Sequence, residues 1–405
     1  MSRKVIISII VLFFFMVLSA SAVLACTLGG VTGKMAEKHH ILFGQTCDNA
    51  WWPTRHTLWV IEPENGYKYI GTKAYIWGFW TGMNEKGFGW AGAAVGTRDQ
   101  DPGSTGPGKF EIGPLLLENC ASVNEAIEML RSILNDYGAF GPDLPTRNAI
   151  MGDAKGNLAL VEISYQEIYV ETLTKNGYVV RTNHFISDEM KGLDYRPDPY
   201  YCERYERGRE WFTKKLWQSD PQWPWYSVRK ASKRKIKVED LFGYLSYVYL
   251  TRLNSPTSGP GTCMIMEPKT LTYWFTYGWP SGNLPTKELE NRQISQNMTW
   301  GTFIPFYLPE LPPGQYTTEL GQLTPLAVQY LYSHFSHKQL RSPAWTRYQS
   351  EDSMAPFYKP EEDIASPDGY SPKENPFGPA GYVGTWSSSE GFIPYDEQCI
   401  QECME

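Results

Sequence analysis

Apolar positions along this chain recur with two different periods. Between residues 39 and 96 they fall in short runs rich in β-branched and aromatic side chains: HHILFGQTCDN (39–49), HTLWVIEP (56–63), YKYIGTKAYIW (67–77) and FGWAGAAVG (88–96). Gly, Pro and Asn punctuate the runs, which is how buried strands joined by turns read in a sequence. NEKG (84–87) is the turn feeding the last run, and QDPGSTGPG (100–108) has no period and reads as a loop. Then the period changes. Val123, Ala126, Ile127, Leu130, Ile133 and Leu134 line one face of a helix, and Ser122 with Glu125 forms a capping box at its start.

Two hairpins follow, NAIMGDAKGNLALVEIS (148–164) turning at Asp153–Asn157 and IYVETLTKNGYVVRTNHF (168–185) turning at Lys175–Gly177. Residues 198–217 and 238–250 read as helices, and TCMIMEPKTLTYWFTYG (262–278) as a third hairpin. Strands, then helices, then strands again predict an α+β layered domain. Near residue 280 the text turns rich in Pro, Tyr, Ser and Gly, with one helical segment at 322–339. Residues 281–405 are expected to form a C-terminal extension, packed on the main domain or partly disordered. Asn297-Met298-Thr299 within it is a glycosylation sequon, which matters only in a eukaryotic secretory setting.

The longest apolar run is the first. Arg3 and Lys4 precede an apolar stretch from Val5 to Leu18, and small residues follow at Ala20, Ala22 and Ala25. This is the layout of an export signal, too short to span a membrane comfortably. It predicts a signal peptide over 1–25 and a main domain over 26–280. The mature protein is expected to be secreted, periplasmic or held at the cell surface, with no membrane span.

Composition narrows the chemistry. Charged residues make up 20% of the chain and the net charge is -7, which suits a folded protein and excludes a nucleic-acid partner; KASKRKIK (230–237) is a solvated run. Of six His, His334 and His337 alone have ligand-like spacing, so no metal is expected. The seven cysteines are Cys26, Cys47, Cys120, Cys202, Cys263, Cys399 and Cys403. Outside the cytoplasm an even set would pair; reserving Cys26 for chemistry leaves the others for disulfides, or for buried thiols.

Cys26 sits where the signal ends. Cleavage after Ala25 would give a mature chain starting with a thiol and an α-amine on one residue. Such an amine has a pKa near 7.7–8.0 and can accept a proton close to neutrality, while the thiol is a strong nucleophile. Three readings stand at this point: a new amino-terminal nucleophile, a lipidated cysteine in the lipobox-like VLAC, and a bystander beside a cleavage site.

Five short motifs then occur in order: Cys26-Thr27, FGQTCDN (43–49), GMNEKGFGWAG (82–92), GDAKGNLALVEIS (152–164) and RTNHF (181–185). Together they resemble the N-terminal-nucleophile hydrolases of the choloylglycine hydrolase and penicillin V acylase group, and most of all their isopenicillin N acyltransferase branch. The resemblance covers about 26–280. It implies a four-layer αββα sandwich, no cofactor, and cleavage of a linear C–N amide in a small N-acyl substrate. It implies that Cys26 is the nucleophile and Asp48 the carboxylate that orients its amine. Asn183 would be an oxyanion donor and Arg207 a support for the nucleophile, with Arg204 as the nearby alternative. Trp51, Trp52, Trp77 and Trp80 would line an apolar acyl pocket or a core.

Two positions depart from the choloylglycine pattern. Gln45 stands where those enzymes carry an Arg that lowers the thiol pKa. The second oxyanion position falls near Ala94, where only a main-chain N–H could serve. A dipeptidase of the same nucleophile type and a lipid-anchored binding protein are the rival expectations.

Overall fold

The strand runs and the helical stripe assemble into two antiparallel sheets with helices outside. The computed structural model describes residues 25–48, 56–74, 78–99, 103–141, 147–173, 177–194, 199–217, 260–277, 303–318 and 323–334, parts of 235–245, and the short strands β15 (Gly384–Ser387) and β16 (Gly391–Pro394). The first sheet has six strands in the order β10 (Gly177–Arg181), β1 (Ala25–Thr32), β2 (Leu42–Asp48), β11 (Pro260–Glu267), β12 (Thr272–Tyr277) and β13 (Ile304–Tyr307). The second has eight, in the order β14 (Gly314–Gln315), β3 (His56–Ile61), β4 (Tyr69–Ala74), β5 (Gly78–Asn84), β6 (Gly89–Ala94), β7 (Arg147–Gly152), β8 (Leu158–Ile163) and β9 (Ile168–Leu173).

Alternation along the strands sends side chains to two cores. Leu28, Phe43, Met264 and Phe275 of the first sheet meet Leu58, Ile70, Met83 and Ile150 of the second. On the outer face of the second sheet, Trp90, Ala149 and Met151 pack on α1 (Lys109–Asn119) and α2 (Val123–Tyr137). On the outer face of the first, Val31, Val180 and Ile265 pack on Trp211 and Phe212 of α3 (Pro199–Trp217). The layers therefore run helix, sheet, sheet, helix, and the fold is an α+β sandwich. Burying each large apolar side chain contributes roughly 1.5–3 kcal/mol, so the strands that carry the polar cluster around Cys26 are held from both faces.

Local chemistry explains the helix boundaries. Ser122 Oγ accepts from Glu125 N at 3.4 Å, Glu125 Oε2 accepts from Ala121 N at 2.6 Å, and α2 ends at Gly138 with φ 74°, a left-handed turn that glycine adopts freely. The helix α1 was not evident in the sequence, because Gly113-Pro114 interrupts it. Proline inside a helix removes one bond and costs about 3 kcal/mol. The helix forms regardless, since Ile112, Leu116 and Leu117 are fully buried against the sheet.

Residues beyond 280 join both sheets where they are described. β13 pairs with β12 and β14 with β3, and α4 (Pro325–His334) adds Ala327, Tyr330 and Leu331 to the core between the sheets. The boundary expected at 280 lies outside the described residues, as do His337, Cys399 and Cys403.

Of the two expectations for the cysteines, the described ones follow the buried-thiol reading, while the side chain of Cys202 lies outside the described residues with Cys399 and Cys403. Cys26, Cys47, Cys120 and Cys263 are all buried thiols with no disulfide. Cys47 and Cys263 are on neighbouring strands but belong to the cores on opposite faces of the sheet, so their sulfurs point apart and cannot bridge. Among the described residues no helix is long and apolar enough to cross a membrane.

Candidate active site

Cys26 is fully buried in β1, between β10 and β2, directly opposite Cys47. Its nitrogen donates to Asn183 Oδ1 at 2.7 Å. In the intact chain that nitrogen is a peptide N–H; it marks the place an α-amine would take after cleavage at Ala25. Arg204 of α3 reaches the same residue from the helical layer. Its Nη1 donates to Cys26 O at 2.7 Å and Thr27 Oγ1 at 2.9 Å, and its Nη2 donates to Asn183 Oδ1 at 2.7 Å. Two donors converging on Asn183 Oδ1 fix its amide orientation. The Nδ2 side donates to Ala94 O at 2.7 Å, leaving one amide hydrogen with which an oxyanion could be met.

Asn183 lies on the loop after β10, and that loop is pinned at several points. Asn148 Nδ2 donates to Thr182 O at 2.8 Å and His184 O at 2.6 Å, one carbonyl on each side of Asn183. Directly opposite Asn148 in the β7–β8 register stands Glu162. Its fully buried carboxylate accepts from Ile186 N at 3.0 Å, Ser187 Oγ at 2.6 Å and Arg181 Nε at 3.2 Å. Asp194 Oδ2 accepts from Phe185 N at 2.8 Å. One cross-strand pair thus clamps both halves of the loop, so a residue on irregular backbone holds a fixed position.

The expected residues are distributed unevenly. Cys26 and Asn183 come together. The backbone of Asp48 pairs with that of Ala25, one position from Cys26; its carboxylate lies outside the described residues, as do Trp51, Trp52, Trp77 and the side chain of Trp80. Of the two arginines, Arg204 contacts Cys26 and Asn183, whereas Arg207, the preferred choice from sequence, is buried one turn further along α3. The two are three residues apart on one helix face, so spacing alone could not separate them.

Gln45 has a structural task. Its Nε2 donates to Gly92 O at 2.7 Å and its Oε1 accepts from Gly92 N at 3.1 Å. β6 pairs with β5 at Met83↔Gly89 and Gly82↔Trp90 and their register goes no further; the Gln45 amide takes over that edge from the facing sheet. An arginine has donors only and could not close both halves of this clasp.

The histidines here are held neutral. Burial lowers His56 to about 4, and it sits between Thr262 Oγ1 at 3.2 Å and Cys47 Sγ at 3.9 Å. Burial, with the charges of Arg204 and Arg181, lowers His184 to about 3. Arg147, on β7, is fully buried; burial lowers it to about 10, with a smaller opposing electrostatic contribution from Cys26. Sequence reading passed over Asn148, Glu162 and Arg147. The available signal was three polar or charged residues at positions of β7 and β8 that read as buried strand. A groove of about 540 Å³ borders the pinned loop, lined by Tyr169, Tyr178, Arg181, Ser187 and Tyr205 among others; neither Cys26 nor Asn183 lines it. No cluster of three or more metal-ligating side chains occurs among the described residues.

The αββα sandwich thus carries a buried cysteine on a central strand, its nitrogen held by an asparagine and its carbonyl by an arginine. Residues 35–220 match the family model described as acyl-coenzyme A:6-aminopenicillanic acid acyl-transferase. Among solved structures it is similar to a mutant of the conjugated bile acid hydrolase of Clostridium perfringens, with 16% identity, 62% of this chain and 89% of that chain covered, and a TM-score of 0.44. It is similar to the penicillin V acylase of Agrobacterium tumefaciens, with 18% identity, coverage of 62% and 83%, and a TM-score of 0.41. It is also similar to the Caenorhabditis elegans ortholog of N-acylethanolamine-hydrolyzing acid amidase, with 14% identity, coverage of 60% and 93%, and a TM-score of 0.36. No curated protein sequence matches the chain.

Proposed function

We propose that this protein is an exported amide hydrolase or acyltransferase whose nucleophile is Cys26, set free at the amino terminus by cleavage after Ala25. The observation that carries the reading is the convergence of Asn183 Oδ1 and Arg204 on the two backbone atoms of Cys26. A terminal amine needs such anchoring, because it must meet the thiol in one orientation through two proton transfers.

The chemistry follows from that geometry. The α-amine of Cys26 takes the thiol proton, and the sulfur attacks the carbonyl carbon of an N-acyl amide. Asn183, through its remaining amide hydrogen, and a main-chain N–H near Ala94 donate to the oxyanion; a donor of this kind is worth about 2.7–4 kcal/mol in the transition state. The ammonium passes its proton to the leaving nitrogen, the C–N bond breaks, and a thioester remains on Cys26. Water, or an acceptor amine, attacks the thioester and returns the thiol. Asp48 beside the cleavage point favours the ammonium form as it develops.

The test is a Cys26→Ser variant assayed on a panel of N-acyl amides, with free dipeptides alongside. Loss of activity in the variant and turnover of acyl amides by the parent are expected. Full activity in the variant ends the proposal, and turnover of dipeptides alone redirects it to peptidase chemistry.

A further inference from the structure

We infer that Cys47 is the resolving thiol for Cys26: oxidation of Cys26 by a peroxide is captured as a Cys26–Cys47 disulfide, which holds the enzyme inactive until a thiol reductant opens it. The inference rests on Cys26 being the nucleophile of the processed chain.

The strand register carries it. Cys26 of β1 stands directly opposite Cys47 of β2, and both side chains belong to the core between the sheets. Residues opposite each other on antiparallel strands put their side chains on one face of the sheet. The pair is of the non-hydrogen-bonded type. Cys26 N donates to Asn183 Oδ1 and Cys26 O accepts from Arg204 Nη1, so its main chain is turned to the β10 side. The next residue, Thr27, turns its N–H the other way, to Thr46 Oγ1 of β2 at 3.0 Å. In a non-hydrogen-bonded pair the Cα atoms approach to about 4.5 Å, within the span of a disulfide. Cys47 Sγ lies 3.9 Å from His56 Nε2, and a rotamer change about its Cα–Cβ bond turns the sulfur from that weak contact towards Cys26. Among the described cysteines the other two are placed elsewhere. Cys263 is on the far face of the same sheet, and Cys120 packs among the helices outside the other sheet.

The chemistry needs one co-reactant, a peroxide, which an oxidising compartment outside the cytoplasm supplies. The Cys26 sulfur, ionised for catalysis, is the form that a peroxide attacks. The sulfur bonds to one oxygen of hydrogen peroxide, the O–O bond breaks, and the other oxygen leaves as water with the thiol proton. Cys26 is then a sulfenic acid. The Cys47 sulfur attacks the Cys26 sulfur, the S–S bond forms, the S–O bond breaks, and a second water leaves with the Cys47 proton. Two thiols are oxidised by two electrons and one peroxide is reduced to two waters. Without Cys47, the sulfenic acid remains open to a second peroxide and passes to the sulfinic acid, which thiols do not reverse. A dithiol reductant opens the disulfide by exchange and is itself oxidised, returning both cysteines.

The experiment treats the processed protein with hydrogen peroxide, digests it without reductant and maps it by peptide mass. Turnover of an N-acyl amide is followed before treatment, after it, and after dithiothreitol. The parent should yield a peptide joining Cys26 to Cys47, lighter by two hydrogens than the two reduced peptides together. It should lose activity with peroxide and regain it with dithiothreitol. Cys47→Ser and Cys47→Ala should be active before treatment, carry Cys26 as sulfinic acid after it, and stay inactive in dithiothreitol. A parent whose two cysteines emerge unlinked, whether reduced or with Cys26 as sulfinic acid, overturns the inference even if neither variant folds. Folded variants that recover as fully as the parent also overturn it. The link is read by mass and not by turnover, so the two readings fail separately: if it forms while Cys26→Ser keeps full activity, the thiol pairing stands and its control of activity falls with the nucleophile assignment.

Discussion

The helix-covered face of the eight-stranded sheet and the cluster around Cys26 are buried to the same depth and built from opposite materials. Trp90, Met151, Leu116 and Leu130 on the first are fully shielded, and so are Gln45, Asn148, Glu162 and Arg204 in the second. Apolar packing is non-directional and tolerates change while volume is kept. A buried polar cluster is stable only when each group finds its partner at the right angle. The first region should therefore answer substitution with lost stability, and the second with lost activity first.

Arg204→Met is the strongest way to probe that contrast. It removes three hydrogen bonds to Cys26, Thr27 and Asn183, and kcat/KM should fall by about 10³, or about 4 kcal/mol. Glu162→Gln tests whether the clamp belongs to both regimes. Breaking its pairing with Arg181 should lower stability by about 3–5 kcal/mol in chemical denaturation and reduce kcat as the Asn183 loop loosens. On the apolar side, Leu130→Ala should lower stability by about 2–5 kcal/mol and leave kcat/KM of the folded fraction unchanged. A drop in activity there would dissolve the comparison.

The pH response sharpens it further. His56 and His184 are held below their ordinary value, to about 4 and about 3. The unfolded chain takes up their protons first, so their neutral forms favour the fold above pH ~6.5 and cease to do so as pH falls through that window. Denaturation midpoints should decline from pH ~6.5 towards ~4, and a His56→Gln variant should show a flatter decline. Ser122→Ala gives the smallest effect, about 1 kcal/mol from loss of the α2 cap, with activity untouched.

The contrast also sets what could be read in advance. Helix α2 was legible at its cap and along its buried face because those signals are local: a capping box and an apolar stripe. The turn at Asp153–Asn157 was legible for the same reason; the structure shows Asp153 Oδ1 accepting from Lys155 N at 2.9 Å and Asn157 N at 3.1 Å. Motifs singled out Cys26 and Asn183, and the structure brings these two together. Arg204 could not be told from Arg207, because both lie on one face of one helix; the structure shows Arg204 on Cys26 and Asn183. Asn148 and Glu162 were missed because their meaning is a cross-strand register.

The account depends most on which residue begins the mature chain. Amino-terminal sequencing with intact mass of the exported protein is the most direct measurement. It should return Cys26 first, with an unmodified amine and a mass matching loss of residues 1–25. A chain starting elsewhere, or a Cys26 amine carrying an acyl group, would contradict it.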